Sequence, residues 1–179
     1  MPRRAVKEAP LIETRRLRLR RLRPSDEPDL IALDSDPEVM RYVGSPAGVK
    51  SPAETLKLVR QRIAADHGSM GFWRVESRHD GQFFGLGALI RMPEGDDVEL
   101  AYRLARPAWG RGIATEAGGA VADYAFRTLL LTRLVAVTYP ENLASQRVLE
   151  KIGFRHSGTI AYRGTQTTYF VLPAPLADA

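Results

Sequence analysis

The chain contains no cysteine. A disulfide framework, a thiolate nucleophile and every cysteine-ligated zinc or iron–sulfur site are thereby excluded, and the composition suits a reducing compartment. Histidine is nearly as scarce. His67, His79 and His156 stand singly, without the close spacing of a metal site, so no metal is expected. No apolar run approaches the roughly 20 residues of a membrane span, and no apolar core follows the N-terminal arginines as it would in a secretory signal. The expectation is a cytoplasmic protein with no membrane partner. Internal repeats and long linkers are also missing, so nothing divides the chain.

What is present is 179 residues, 44% of them apolar and 26% charged, which suffices for one domain with its own core. The net charge of +5 is unevenly spread. Nine arginines and lysines among the first 23 residues face only Glu8 and Glu13, a local charge of +7 that leaves the remainder at −2. Two readings stand. The basic stretch can contact a polyanion such as ribosomal RNA. Alternatively, Arg16, Leu17, Arg18, Leu19 and Arg20 alternate as an edge strand with one solvated face does.

Start and stop signals punctuate the rest. A short helix starts at Ser25 and runs through Leu30 and Leu33, and Asp36-Pro37 opens a second one through Met40 and Tyr42. Ser51-Pro52-Ala53-Glu54 is a capping box, followed by Leu56, Val59 and Ile63 at helical spacing. Residues 71–77, 83–91 and 98–104 read as three successive antiparallel strands with turns at Asp80-Gly81 and Glu94-Gly95-Asp96. Helical period returns from Ile113 to about Arg127, and Leu134 to Tyr139 reads as a strand. Asn142 is placed to cap a helix that Gly153 closes, and two strands follow, near 155–162 and 166–172. The fold class is α/β: one domain with a mixed, mostly antiparallel sheet flanked by helices.

One segment has the pattern of a ligand site. Trp109-Gly110-Arg111-Gly112-Ile113-Ala114 joins a strand to a helix. Its glycines permit a tight turn and close backbone approach, and the helix start behind them aims unsatisfied N–H groups outward. An anion is expected there, with Arg111 able to add a charge-assisted contact to phosphate. No Gly-Lys-Ser/Thr follows, so this is not a Walker loop, and the glycine spacing is not that of a dinucleotide fold.

From Leu11 to about Leu172 the chain resembles the GCN5-related N-acetyltransferase (GNAT) superfamily, most closely its RimJ/RimL-like branch. The motifs that carry the likeness are residues 11–22 (LIETRRLRLRRL), Asp36 to Tyr42, Val98 to Leu104 with Trp109 to Ala117, and Asn142 to Ser145 with Lys151 to Phe154. The resemblance implies a domain over residues 11–174, between a basic tail at 1–10 and a short tail at 175–179. Acetyl-coenzyme A is then the cosubstrate, held where two central strands splay apart. Its pantetheine arm pairs with backbone at Tyr102, Arg103 and Leu104, and its pyrophosphate lies on amides of Trp109, Gly110, Arg111, Gly112, Ile113 and Ala114, with Thr115 beside them. The superfamily motif Gln/Arg-x-x-Gly-x-Gly/Ala is matched at Gly112 and Ala114 but has Trp109 in its first place.

Asn142 resembles the asparagine that bonds the pantetheine arm and Ser145 the hydroxyl one turn on, although both suit a helix cap equally well. Relatives place a tyrosine on this helix to protonate the leaving thiolate, and here that position is Leu149; Ser145 is the substitute acid. Glu99 resembles the branch's acidic residue and is the candidate base. Backbone N–H groups near Tyr102 and Leu104 are the candidate oxyanion donors. The acceptor implied is a protein N-terminal α-amine, with a small-molecule amine as the alternative. An α-amine needs little help from a base, because its pKa near 8 leaves much of it neutral. Glu94, Asp96 and Asp97 form an acidic turn that either attracts a cationic acceptor or is merely solvated. A non-catalytic acyl-coenzyme A binding module that docks on the ribosome is the competing reading, and the oligomeric state, monomer or homodimer, is open.

Overall fold

The computed structural model describes residues 10–44, 48–65 and 68–175. The basic stretch at 1–9, residues 176–179 of the C-terminal tail and His67 lie outside these residues. Thirteen elements are arranged as β1 (Ile12–Glu13), β2 (Leu17–Arg21), α1 (Glu27–Ser35), α2 (Pro37–Met40), α3 (Pro52–Ala64), β3 (Gly71–Ser77), β4 (Phe83–Arg91), β5 (Val98–Leu104), α4 (Ile113–Arg127), β6 (Arg133–Thr138), α5 (Leu143–Ile152), β7 (Arg155–Tyr162) and β8 (Thr165–Pro173). Short 3-10 turns at Pro24–Asp26 and Arg106–Ala108 lead into α1 and away from β5.

The strands form one sheet in the order β1-β2-β3-β4-β5-β6-β8-β7. Every neighbouring pair is antiparallel except β5 and β6, which run parallel with Glu99 opposite Val135 and then part. This parting, at the middle of the sheet, is the architectural feature on which the site depends.

Alternation along the strands assigns the two faces. Trp73 and Val75 of β3, with Val98 and Leu100 of β5, pack with Ala117, Val121 and Ala125 of α4. On the opposite face Leu30 and Leu33 of α1, Val39 and Met40 of α2 and Val59 of α3 make a second core with Leu86. Glu99, Ala101 and Arg103 of β5 belong by parity to this second face, which the first three helices cover incompletely.

One expectation is corrected. The basic strand β2 is not an edge, because the two-residue β1 pairs outside it, Ile12 opposite Leu19. Nor is its polar face uniformly solvated. Arg20 lies 2.8 Å from Asp26 and 3.3 Å from Glu76, in a network that Arg74 extends to Glu76 at 2.8 Å and Asp29 at 2.6 Å. Burial raises the Asp26 carboxyl, but hydrogen bonds from Arg20 and the Arg23 amide outweigh it and hold the group below its ordinary value. These arginines are internal counter-ions and are not available to a polyanion. At the far side of the sheet β8 inserts between β6 and β7, so the last hairpin folds back with its second strand innermost.

Candidate functional site

The corner at 109–115 is held from three sides. Gly110 and Gly112 adopt left-handed conformations, φ +70° and +73°, and Gly112 is the N-cap of α4 with no side chain to satisfy the first helical amides. The N–H groups of Ile113, Ala114 and Thr115 have no upstream carbonyl within the helix and are free to face a ligand. A Cβ at Gly110 would meet nothing within 4 Å. The Trp109 indole N–H donates to Leu104 O at 2.8 Å and ties the corner to the end of β5. From β2's approach, Arg16 Nη1 donates to Arg111 O at 3.0 Å, while Arg16 Nε and Thr14 Oγ1 both bind Glu116 at 2.6 Å. At least one of the N-terminal arginines thus clamps the corner.

Facing this corner across the parted strands is the start of α5. Asn142 Oδ1 accepts from Ser145 N at 3.2 Å, so the asparagine is a true cap. Its amide donors are not used by that bond and remain available to a ligand. The Tyr102 hydroxyl reaches over from β5 and lies 3.0 Å from both Ser145 O and Ser145 Oγ. Burial pushes the Tyr102 hydroxyl up to about 12 against the opposing effect of the Ser145 bond, so it stays protonated and can donate. Together Tyr102, Arg103, Leu104, Trp109, Gly110, Gly112, Ile113, Ala114, Thr115, Asn142 and Ser145 line a cleft of about 450 Å³.

A second cavity of about 300 Å³ adjoins the first, and Tyr102, Arg103, Asn142 and Ser145 belong to both. Glu99 is in its wall, 6% exposed, and accepts a hydrogen bond of 2.8 Å from the Tyr162 hydroxyl. Burial raises the Glu99 carboxyl above its ordinary value, with the Tyr162 bond and the charge of Arg163 opposing. Tyr162 is itself pushed up to about 12, by burial first and then by the carboxylate. A cleft with oriented amides thus opens onto a pocket that holds a buried carboxylate. That arrangement can take an anion-bearing, elongated cosubstrate on one side and a proton-releasing acceptor on the other.

Other candidates lie elsewhere. The Arg111 guanidinium does not line the cleft; it sits 5.2 Å from the Phe84 ring in an open basic groove with Arg15, Arg16 and Arg78. Asp97 makes a bidentate pair with Arg133 at 2.6 and 3.0 Å, and Glu94 and Asp96 are exposed in the turn; none of the three lines either cavity. Leu149 is buried and contributes only apolar wall. His79 lies in the turn after β3 and His156 in β7, and among the described residues no group of three potential ligands could hold a metal. Tyr162, Arg62 and the Tyr102 hydroxyl escape sequence reading, since nothing local marks a tyrosine 63 positions from its carboxylate partner. Among the described residues no helix is long and apolar enough to cross a membrane.

Comparison with known proteins identifies the family. The family model described as Acetyltransferase (GNAT) domain matches residues 16–155. The protein YkkB of Bacillus subtilis is 37% identical over 152 residues, 82% of this chain and 86% of that protein. A GNAT-family acetyltransferase structure from Bacillus anthracis superposes with a TM-score of 0.80 at 25% identity, over 92% of this chain and 98% of that one. RimL, a ribosomal alpha-N-protein acetyltransferase solved in complex with coenzyme A, shares the fold with a TM-score of 0.75 at 21% identity, over 92% and 98%.

Proposed function

Because the chain belongs to the GNAT acetyltransferase family and is an acetyl-coenzyme A dependent N-acetyltransferase, we propose that its acceptor is the α-amine of a protein N-terminus. The observation that carries this reading is the junction of the two cavities at Tyr102, Asn142 and Ser145, with a buried carboxylate behind it. The RimL likeness adds support for a polypeptide acceptor.

Bound acetyl-coenzyme A supplies an activated thioester carbonyl. The amides of Gly110 to Thr115 hold its diphosphate, and the unpaired edge of β5 from Tyr102 to Leu104, with Asn142, orients its arm. Arg111, pointing into the basic groove, contributes its backbone to this cradle and not its charge. Glu99 takes the proton that the amine releases on attack, directly or through water, with Tyr162 fixing the carboxylate. Ser145, backed by the Tyr102 hydroxyl, donates to the leaving sulfur. A thiol of pKa near 8.5 needs only modest help to leave, which accommodates Leu149 in place of an acid.

Two experiments test this. A screen of coenzyme A thiol release across N-terminal peptides and small amines should show turnover with peptides; release with small amines alone would refute the polypeptide acceptor. Ser145→Ala and Tyr102→Phe should each lower kcat about 10- to 100-fold at saturating cofactor. Because the two hydroxyls act as one donor, the double variant should lose little more than the worse single one. Unchanged kcat in Ser145→Ala would remove Ser145 from the proton path.

A further inference from the structure

The wall of the inner cavity away from Glu99 holds two arginines, Arg62 and Arg103, with a single carboxylate, Asp34, behind them. Arg103, on the same strand face as Glu99, has a side chain 90% buried, and its Nη2 stands 2.6 Å from Asp34 Oδ1. That contact is short enough for an ion pair but lacks hydrogen-bond alignment, and Arg103 Nε meets no acceptor at all. Asp34 is almost fully buried and receives one further bond, from Thr55 Oγ1 at 3.3 Å. Arg62, from α3, lines the same cavity with its guanidinium 4.2 Å above the Phe72 ring, and no carboxylate among the described residues pairs with it. Burial, aided by the like charge of Arg103 and opposed by the charge of Asp34, pushes Arg62 down to about 10. Two guanidinium groups therefore share one carboxylate in a partly desolvated wall.

Such an excess is costly unless a ligand supplies the missing anion. Arginine suits the task, because its planar fork binds a carboxylate in two places. The cavity thus has a proton-accepting carboxylate, with Arg163 beside it, at one end, and two guanidinium groups served by one carboxylate at the other. The spacing narrows the choice of ligand. Residues 99 and 103 are four apart on one strand, so their Cα atoms lie roughly 13 Å from each other. The side chains of Glu99 and Arg103 close part of that gap, and an extended peptide, whose amine and side-chain carboxylate stand several residues' reach apart, fits the remainder better than an α-amino acid, whose amine and carboxylate share one carbon.

We propose that Arg62 and Arg103 form a carboxylate subsite that selects peptide N-termini carrying Asp or Glu at the second or third position. The proposal rests on the transferase reading above and specifies its acceptor.

The test uses matched peptides, Ala-Glu-Ala-amide against Ala-Gln-Ala-amide and Ala-Ala-Glu-amide against Ala-Ala-Gln-amide, with alanine against alaninamide as a third pair. In at least one peptide pair the parent protein should favour the carboxylate member at least tenfold in kcat/KM, mostly through KM. Arg62→Met should narrow that preference to within threefold, and Arg62→Lys should restore part of it. Equal use of both members in each peptide pair, or a preference confined to free alanine, would overturn the subsite. A readout independent of turnover separates this from failure of the transferase reading. With coenzyme A present, acetyl-Ala-Glu-Ala-amide or acetyl-Ala-Ala-Glu-amide should bind at least tenfold tighter than its glutamine counterpart by calorimetry, and Arg62→Met should abolish the difference. If no amine is acetylated, the transferase reading falls and the calorimetric comparison alone decides the subsite.

Discussion

Replacing Glu99 by Gln is expected to lower kcat/KM for the acceptor about a hundredfold at pH 6.5, and by only a few-fold at pH 9. The pH dependence follows from the nucleophile. An α-amine with a pKa near 8 is mostly protonated at pH 6.5 and mostly neutral at pH 9, so the value of a proton acceptor beside it falls as pH rises. The buried carboxylate, whose affinity for protons exceeds that of an exposed glutamate, is suited to this exchange near neutrality. A uniform loss at every pH would argue that Glu99 only shapes the cavity.

The same variant should become more stable as it loses activity. The folded-state pKa of Glu99 lies above its ordinary 4.5, so the folded protein holds this proton to higher pH than the unfolded chain does. Ionising the buried group costs stability at every pH above the folded value, and the cost disappears below the unfolded value. Gln removes that cost while keeping an acceptor for the Tyr162 hydroxyl. The gain in Tm over the parent should therefore be full at pH 8 and fade as pH approaches 4.5. Thermal unfolding at both pH values checks the sign, and a variant less stable at pH 8 would mean that the loss of activity reflects damaged packing.

How much of this was readable without coordinates depended on how local each cause is. The starts of α3, α4 and α5 follow from Ser51, Gly112 and Asn142, and the end of α5 from Gly153, each acting within four residues of itself, whereas α3 stops at Ala64, short of the glycine at 68 that reads as its end. The corner and the start of α5 are legible for the same reason. The arginines are not. Arg16, Arg20 and Arg103 look alike as solvated charge in a linear reading, yet one clamps a helix 100 positions away, one is neutralised inside the domain and one faces a cavity. A charged side chain's role depends on partners brought in by topology, which no window of sequence contains. The placement of β8 inside β7 is hidden likewise, because both strands have similar patterns and only their pairing with β6 distinguishes them.

Gly112→Val is expected to weaken coenzyme A binding at least thirtyfold, read by calorimetry and as a matching rise in the KM for acetyl-coenzyme A, while kcat at saturation falls less than about threefold. A β-branched residue at φ +73° is strained by about 1–3 kcal/mol, and the backbone relieves that strain by rotating away from the left-handed region. Rotation there swings the amides of Ile113, Ala114 and Thr115 off the ligand. Relief by a wider shift of the loop is blocked, since Arg16 grips the neighbouring carbonyl and Trp109 is bonded to the end of β5. Glu99, Tyr102 and Ser145 lie on β5 and α5 and keep their positions, which is why the effect should fall on binding and spare turnover. Gly119→Ala, within α4 and with open space around its Cβ, is the control: it should bind coenzyme A as the parent does and gain up to about 1 kcal/mol of stability. Parental coenzyme A affinity in Gly112→Val would mean that the diphosphate is held elsewhere, and the role given to the corner would then have to be abandoned.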